Sequence, residues 1–317
     1  MRPDTTFSGP ELCARPAREI VADLRKGALD PADLVEASAT RIAQVEDDVN
    51  AMVTICADRA RAQIADLPDH AAANAQLAGW LAGLPIGIKD LNNVAGVRTT
   101  FGNLAMKDFI APESEPMVER LESRGGLVMG KTNTPEFGAG GNSKNAVAGA
   151  TRNPWDTRMN AGGSSGGAAV SLATGEVWLS HGSDLAGSLR TPAAYCGVIG
   201  LRPSPGRAGG GPELLGFSTE GVQGPMARNI ADCALFLDAM AGFDPIWPLS
   251  LEAPATPFLT EVQRADTPPR IGFAPDEGVA LYEVTEIPAA ALAHVAAARL
   301  AAGASFPEPQ PLSLRAP

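Results

Sequence analysis

The densest chemistry in this chain is Gly162-Gly163-Ser164-Ser165-Gly166-Gly167, followed at once by the apolar run Ala168-Ala-Val-Ser-Leu-Ala. A phosphate-cradling loop would end in Gly-Lys-Ser/Thr, and no lysine stands there. A flexible linker has no need of the helix-like Ala/Val run that follows. Gly163-x-Ser165-x-Gly167 fits a nucleophile elbow, but an elbow needs a strand immediately before it and a later acid and histidine. Here Asn153-Pro-Trp-Asp-Thr-Arg-Met-Asn leads in with loop chemistry, and the histidines that follow are His181 and His294, the latter inside an Ala-rich stretch. A serine in such a turn, taken alone, is a cap or turn former.

Scarcity narrows the remaining options. The only histidines are His70, His181 and His294, so catalysis that depends on imidazole has few candidates. Cys13, Cys56, Cys196 and Cys233 lie far apart without a CxxC pair. They read as reduced thiols of a cytoplasmic protein, not as a disulfide framework or a zinc site. No metal or organic cofactor is implied.

The segments around the Gly/Ser run carry a more specific signal. Upstream stand Gly83-Leu-Pro-Ile-Gly-Ile-Lys-Asp, Gly130-Lys-Thr-Asn-Thr-Pro-Glu-Phe-Gly and Thr151-Arg-Asn-Pro-Trp-Asp. Downstream come Gly182-Ser-Asp-Leu-Ala-Gly-Ser-Leu-Arg-Thr-Pro-Ala-Ala-Tyr-Cys-Gly and Gly200-Leu-Arg-Pro-Ser-Pro-Gly-Arg. In order and spacing, from about residue 10 to 300, the chain resembles the amidase signature family. That resemblance implies an amidohydrolase cleaving a carboxamide C–N bond through an acyl-serine intermediate. Ser188 would be the nucleophile, Ser164 the bridging serine behind a cis peptide bond from Gly163, and Lys89 the base. The oxyanion hole would come from the amides of Leu185, Ala186, Gly187 and Ser188. Gly163, Ser165, Asp184 and Arg190 would support the turn without carrying protons.

Such chemistry makes a demand on Lys89. A serine hydroxyl attacks an amide only if a base removes its proton, and an exposed lysine, titrating near 10.4, is already protonated at neutral pH. Burial disfavours the ammonium form and lowers that value. Pro85, Ile86, Ile88 and Leu91 can supply the apolar wall.

The elements that must hold these residues are legible in outline. Residues 15–26 read as a helix ended by Gly27, and Asp30-Pro31 as N-cap and N1 of a second helix running to about Asp48. A third helical stretch is expected over about 56–77. From Leu84, short buried strands at 84–90, 127–131 and 177–180 alternate with a helix over Glu115–Arg124. Residues 203–225, dense in Gly and Pro, read as a loop. Arg228–Met240 reads as a helix, 270–274 as a strand and 286–302 as an Ala-rich helix. The expectation is one α/β domain over 1–317, a mixed β-sheet covered by helices. It comprises a helical N-terminal layer (about 1–80), the signature core (about 84–242) and an irregular tail (about 306–317).

Composition supports a folded, soluble chain and little more. Of 317 residues, 45% are apolar, enough for a sizeable core. With 36 acidic against 25 basic side chains, the net charge of −11 argues against nucleic acid or an anionic membrane as a partner bound by bulk charge. Met1-Arg-Pro-Asp-Thr-Thr lacks the apolar core of a secretory signal. No stretch approaches the ~18 uninterrupted apolar residues of a membrane span. A small-molecule amide is the expected partner, and a homo-oligomer is compatible with the sequence.

Two departures from the family pattern carry consequences. Ala186 stands where the family commonly has Gly, which is tolerable only if its φ stays negative. Family members also usually extend substantially further at the C-terminus. Two alternatives follow. One is a glutamine-hydrolysing subunit of a tRNA-dependent amidotransferase, which the Gly182-Ser-Asp-Leu segment resembles less than it does a stand-alone amidase. The other is a catalytically impaired, amidase-like binding protein.

Overall fold

A computed structural model describes residues 9–67, 77–209, 216–264, 270–273 and 280–283. The expected 286–302 helix and the tail from 306 lie outside the described residues. The chain divides into two compact units, Met1–Val262 and Gln263–Pro317.

The helices are α1 (Glu11–Ala14), α2 (Ala17–Arg25), α3 (Pro31–Val49), α4 (Ala57–Gln63), α5 (Pro116–Ser123), α6 (Gly166–Ala173), α7 (Arg190–Cys196), α8 (Ile230–Met240) and α9 (Phe258–Arg264). Between them run the strands β1 (Met52–Ile55), β2 (Leu84–Lys89), β3 (Gly126–Thr132), β4 (Lys144–Asn145), β5 (Gly149–Ala150), β6 (Leu179–Asp184), β7 (Ile199–Gly200) and β8 (Val222–Ala227). In the second unit β9 (Arg270–Phe273) and β10 (Ala280–Glu283) form an antiparallel pair.

Six strands of the first unit form a mixed sheet in the order β1-β3-β2-β6-β8-β7. Its centre, β3-β2-β6, is parallel, while β1, β8 and β7 pair antiparallel. Alternation along β3 divides the core between the two faces of the sheet. Val128 joins Ile86, Ile88 and residues of α2, α5 and α8 on one side. Leu127 and Met129 join residues of α3, α6 and α7 on the other. Since β2 and β6 are parallel, Lys89 and Asp184 emerge at the same end of the sheet.

Local signals explain several boundaries. Asp30 accepts a hydrogen bond from the Ala32 amide at 2.8 Å and Pro31 opens α3, as the sequence indicated. The 56–77 stretch is helical only over Ala57–Gln63 with a short 3₁₀ turn at Ile64–Asp66, and residues 68–76 lie outside the described set. Two strands correct the sequence reading. The helical N-terminal layer contains β1, whose four residues are extended through pairing with distant β3. The Gly/Pro-rich loop over 203–225 ends in β8, despite Pro225. A proline lacks the donor a strand interior needs. It is accommodated at the end of β7, where the Leu201 amide still donates to the Pro225 carbonyl at 3.1 Å and only the return bond from a proline nitrogen is missing.

A buried acid pair joins α3 to the turn before β6. Glu46 accepts from the amides of Ala51 (3.0 Å) and Met52 (2.6 Å), and its carboxyl is hydrogen-bonded to that of Glu176. Glu176 Oε2 accepts from Thr174 Oγ1 at 2.7 Å, while Oε1 has no donor among the described residues. One proton shared between the carboxyls supplies that donor. Burial, then the charge of the partner carboxyl, raises the Glu176 pKa well above its usual value, and burial raises that of Glu46. The folded protein thus retains a proton that the unfolded chain has already released. The contribution is full below the unfolded carboxyl pKa and is lost as pH rises through the folded values. Glu176→Gln, which keeps a donor at every pH, is expected to melt about 2–4 °C above the parent at pH 8 and to differ little at pH 5, a shift that ~1 kcal/mol produces in a domain of this size. Thermal denaturation across this range checks it, and a constant offset would reject the shared proton.

Candidate active site

The end of the parallel sheet gathers the candidate residues. Lys89, the last residue of β2, is fully buried. Its Nζ lies 2.7 Å from Ser164 Oγ, 3.0 Å from Ser183 Oγ and 3.4 Å from the Ser183 carbonyl oxygen. Hydroxyls and a carbonyl surround it, with no carboxylate in contact. Desolvation lowers its pKa to about 7, partly opposed by the negative charge of Asp184. A lysine so placed is substantially neutral at pH 7–8, and a neutral amine at this distance can take a proton from the Ser164 hydroxyl.

Ser164 follows a cis peptide bond from Gly163, as the family resemblance implies. Its carbonyl accepts from Ser143 Oγ at 3.2 Å, and the same hydroxyl accepts from the Gly166 amide at 2.8 Å. Immediately beyond, α6 presses against the chain: a side chain at Gly167 would meet backbone atoms of Asn133 and Ala51 at 2.2 and 2.3 Å. The Gly-rich run is therefore a close-packing requirement. Ser165 ties three segments together. Its amide donates to the Ser188 carbonyl (3.2 Å), and its hydroxyl accepts from the Ser183 amide (3.3 Å) and donates to the Ser183 carbonyl (3.2 Å).

Asp184 organises the turn that carries Ser188. Its carboxylate accepts from the amides of Gly187 (2.7 Å) and Leu189 (3.1 Å) and from the Arg190 guanidinium at 2.9 and 3.0 Å. Arg202 reaches both its carbonyl and its carboxylate. Burial works against this charge, yet Arg190 and the two amides hold the pKa at about 2. The Gly187 N–H is therefore engaged within the turn. The amides of Leu185, Ala186 and Ser188 have no acceptor among the described residues. Gly187 has φ +105°, with Thr191 Oγ1 3.0 Å from where a Cβ would stand. Ala186 keeps a negative φ, so its methyl group brings no backbone conflict.

Ser164 and Ser188 share one cavity of about 230 Å³, lined also by Leu91, Phe137, Leu185, Val222 and Gln223. Ser188 is half-buried, and its hydroxyl makes no hydrogen bond to the described residues. The structure thus brings Lys89 and Ser164 into contact and sets Ser188 beside them across the same cavity. A larger cavity, about 520 Å³, opens beside β1 between residues 54–59 and 95–98. None of the candidate residues lines it, and burial raises the pKa of its Cys56 thiol to about 11, far from a reactive thiolate. The chemistry selects the smaller cavity.

Three residues at the site escaped the sequence reading. Ser183, one position before Asp184, adds a hydroxyl to Lys89. Gln223 lies on a strand that was read as loop. His181 is fully buried against Gln223, and strand alternation puts it on the same face of β6 as Ser183, a signal that required knowing the strand's bounds.

Replacing Gly187 by Ala is expected to disturb this turn, because the Cβ meets both an unfavourable φ and Thr191, a cost of about 1–3 kcal/mol. Phosphonylation of Ser188 by a fluorophosphonate should slow at least tenfold, whereas Ala186→Gly should stay within about threefold. Equal effects of the two would contradict this account of the turn.

Comparison with known proteins identifies the family. A family model described as Amidase matches residues 33–314. The chain is 38% identical over 262 residues to a glutamyl-tRNA(Gln) amidotransferase subunit from Anaeromyxobacter dehalogenans (strain 2CP-C), covering 83% of this chain and 53% of that protein. It is 39% identical over 267 residues to an acylamidase of Rhodococcus erythropolis, covering 83% and 55%. The crystal structure of a bacterial aryl acylamidase of the amidase signature family superimposes with a TM-score of 0.71 at 34% identity, over 78% of this chain and 51% of that one. The chain spans about half the length of the curated relatives it matches. By sequence and by fold, it belongs to the amidase signature family.

Proposed function

We propose that this protein hydrolyses a neutral carboxamide through an acyl-serine intermediate. The observation that carries the reading is the buried Lys89 amine, with its pKa near 7, 2.7 Å from Ser164 and beside Ser188. In this mechanism Ser188 Oγ attacks the amide carbon and gives its proton to Ser164 Oγ, whose own proton passes to neutral Lys89. The tetrahedral oxyanion meets the amides of Leu185, Ala186 and Ser188. The Gly187 amide, engaged by Asp184, fixes the shape of the turn. Loss of one such donor typically costs about 10²–10³ in rate. The same relay then protonates the departing nitrogen as the C–N bond breaks. Water repeats the sequence to release the acid.

Several observations support this assignment. The relay groups are neutral before attack, so charge develops only inside the buried site, where fixed dipoles act most strongly. The four cysteines are free and buried, in keeping with a reducing, cytoplasmic setting. Among the described residues no helix is long and apolar enough to cross a membrane.

Kinship with amidotransferase subunits favours a second reading, glutamine hydrolysis. It is the weaker one. Glutamine brings an α-carboxylate and an α-ammonium, and no basic side chain lines the cavity among the described residues. The only acid there, Asp184, is committed to Arg190 and Arg202.

Intact mass after fluorophosphonate treatment should show one adduct on the parent and none on Ser188→Ala. The labelling rate should rise with pH through a midpoint near 7 as Lys89 loses its proton, and reach a plateau above. Lys89→Arg, protonated throughout, should lose at least 10³-fold. An adduct that survives Ser188→Ala would overturn the nucleophile assignment. A flat pH profile would overturn the base. Glutamine turnover exceeding that of simple amides would favour the second reading.

A further inference from the structure

A neutral lysine amine has two N–H donors and one lone pair, whereas its ammonium has three donors and no acceptor. Whether Lys89 can take a proton from Ser164 therefore depends on what occupies its other two directions. One residue fills both. Ser183 offers its hydroxyl at 3.0 Å from Nζ and its carbonyl oxygen at 3.4 Å. The carbonyl can only accept, so one N–H belongs to it. The two hydroxyl distances assign the rest. A span of 3.0 Å to Ser183 Oγ is the usual length of an N–H donated to oxygen, and 2.7 Å to Ser164 Oγ is the shorter reach of a hydroxyl that donates. The lone pair thus falls to Ser164, whose hydroxyl has no other partner among the described residues.

Ser183 is itself held in place. Its amide donates to Ser165 Oγ at 3.3 Å, and that hydroxyl donates back to the Ser183 carbonyl at 3.2 Å. The charged groups nearby are committed elsewhere. Asp184, next along β6, is turned onto Arg190 and Arg202. Lys131 on the adjacent β3 is paired with Asp90. His181, two positions before Ser183, is kept neutral by burial, with a pKa of about 4. The proton count then closes in both states of the base. Before attack the amine has two donors for the two Ser183 oxygens, and its lone pair faces Ser164. After transfer the ammonium has three donors, and the same three oxygens accept them. Ser183 Oγ accepts throughout, so the proton moves without the surrounding dipoles having to turn.

We infer that Ser183 is a positioning residue for the base, taking up two N–H groups of Lys89 so that the remaining lone pair is aimed at Ser164. The inference rests on the amidase reading and deepens it. It separates from a merely structural role through the pH dependence of the reaction. Removing an acceptor of the charged form lowers the pKa of an amine, and supplying a carboxylate raises it. Replacements of opposite kind at residue 183 therefore move the profile in opposite directions.

The test follows the rate of Ser188 phosphonylation by a fluorophosphonate against pH in the parent and three variants. Ser183→Ala should slow the plateau at least about tenfold and move the midpoint from near 7 down to about 6. Ser183→Thr, which restores the hydroxyl, should bring the midpoint back to near 7 and recover most of the rate. Ser183→Asp, which gives the amine a counter-ion, should move the midpoint above about 8 and cut labelling at neutral pH at least about tenfold. Circular dichroism and thermal melting show that each variant is folded. A folded Ser183→Ala that matches the parent in rate and midpoint would overturn this inference, as would one that is slower with an unmoved midpoint. So would a folded Ser183→Asp whose midpoint does not rise. Each of these leaves the amidase reading standing. A folded parent that takes no adduct and hydrolyses no amide would overturn both.

Discussion

Everything at this site depends on keeping one buried amine without a counter-ion. The fold buries two lysines side by side, Lys89 at the end of β2 and Lys131 on the neighbouring β3. They receive opposite treatment. Lys131 Nζ lies 3.2 Å from the Asp90 carboxylate, with Thr99 Oγ1 and the Asn92 carbonyl completing its donors. A buried amine so paired is held in its charged form, against the desolvation that lowers its pKa. Lys89 receives hydroxyls and a carbonyl, groups that satisfy an amine without paying for a charge. The nearby carboxylate that could have stabilised its ammonium, Asp184, is turned onto Arg190, Arg202 and two backbone amides. Separating the acids from one lysine and assigning one to the other is what suits Lys89 to the base's part in the proposed mechanism.

The backbone around the serines follows from the same demand for a tight, dry end to the sheet. Ser165 links Ser183 and Ser188, so the strand end, the segment after the cis bond and the nucleophile turn form a single unit. Small residues let α6 approach the sheet closely, and the absence of a side chain at Gly167 admits Asn133 and Ala51. The one position of the turn that needs glycine is 187, with its positive φ. That explains how Ala186 fits where the family commonly has Gly: the conformational burden falls on its neighbour.

Much of this was legible in the sequence wherever local chemistry decides. Asp30-Pro31 announces a helix start through a cap and a preset φ, and short apolar runs announce β2 and β3. Lys89, Ser164 and Ser188 stood out because their motifs recur in order, not because any one of them is distinctive. What escaped was decided at a distance. β1 is four residues long and extended through its partner. β8 contains a proline that is tolerated because it sits at the end of β7, where its carbonyl still accepts from the Leu201 amide. Ser183, Gln223 and His181 become part of the site through strand register, and strand bounds are the least visible feature of a sequence. Asp184 and Arg190 were legible as a supporting pair, whereas the engagement of the Gly187 amide by Asp184 required coordinates.

The interior that surrounds these residues also accounts for the choice of base in the proposed mechanism. His181 and Lys89 lie on adjacent strands at the same end of the sheet, and burial is the largest influence on both. It takes the imidazole from 6.5 to about 4 and the amine from 10.5 to about 7. A base is most effective when its pKa lies near the working pH, because it must be both unprotonated and willing to accept a proton. In this environment an imidazole falls too low to accept one, while an amine arrives where it is needed. The same desolvation that would disable a histidine base recruits a lysine, and it leaves His181 suited to a different task, holding a neutral hydrogen bond that does not change across the physiological range.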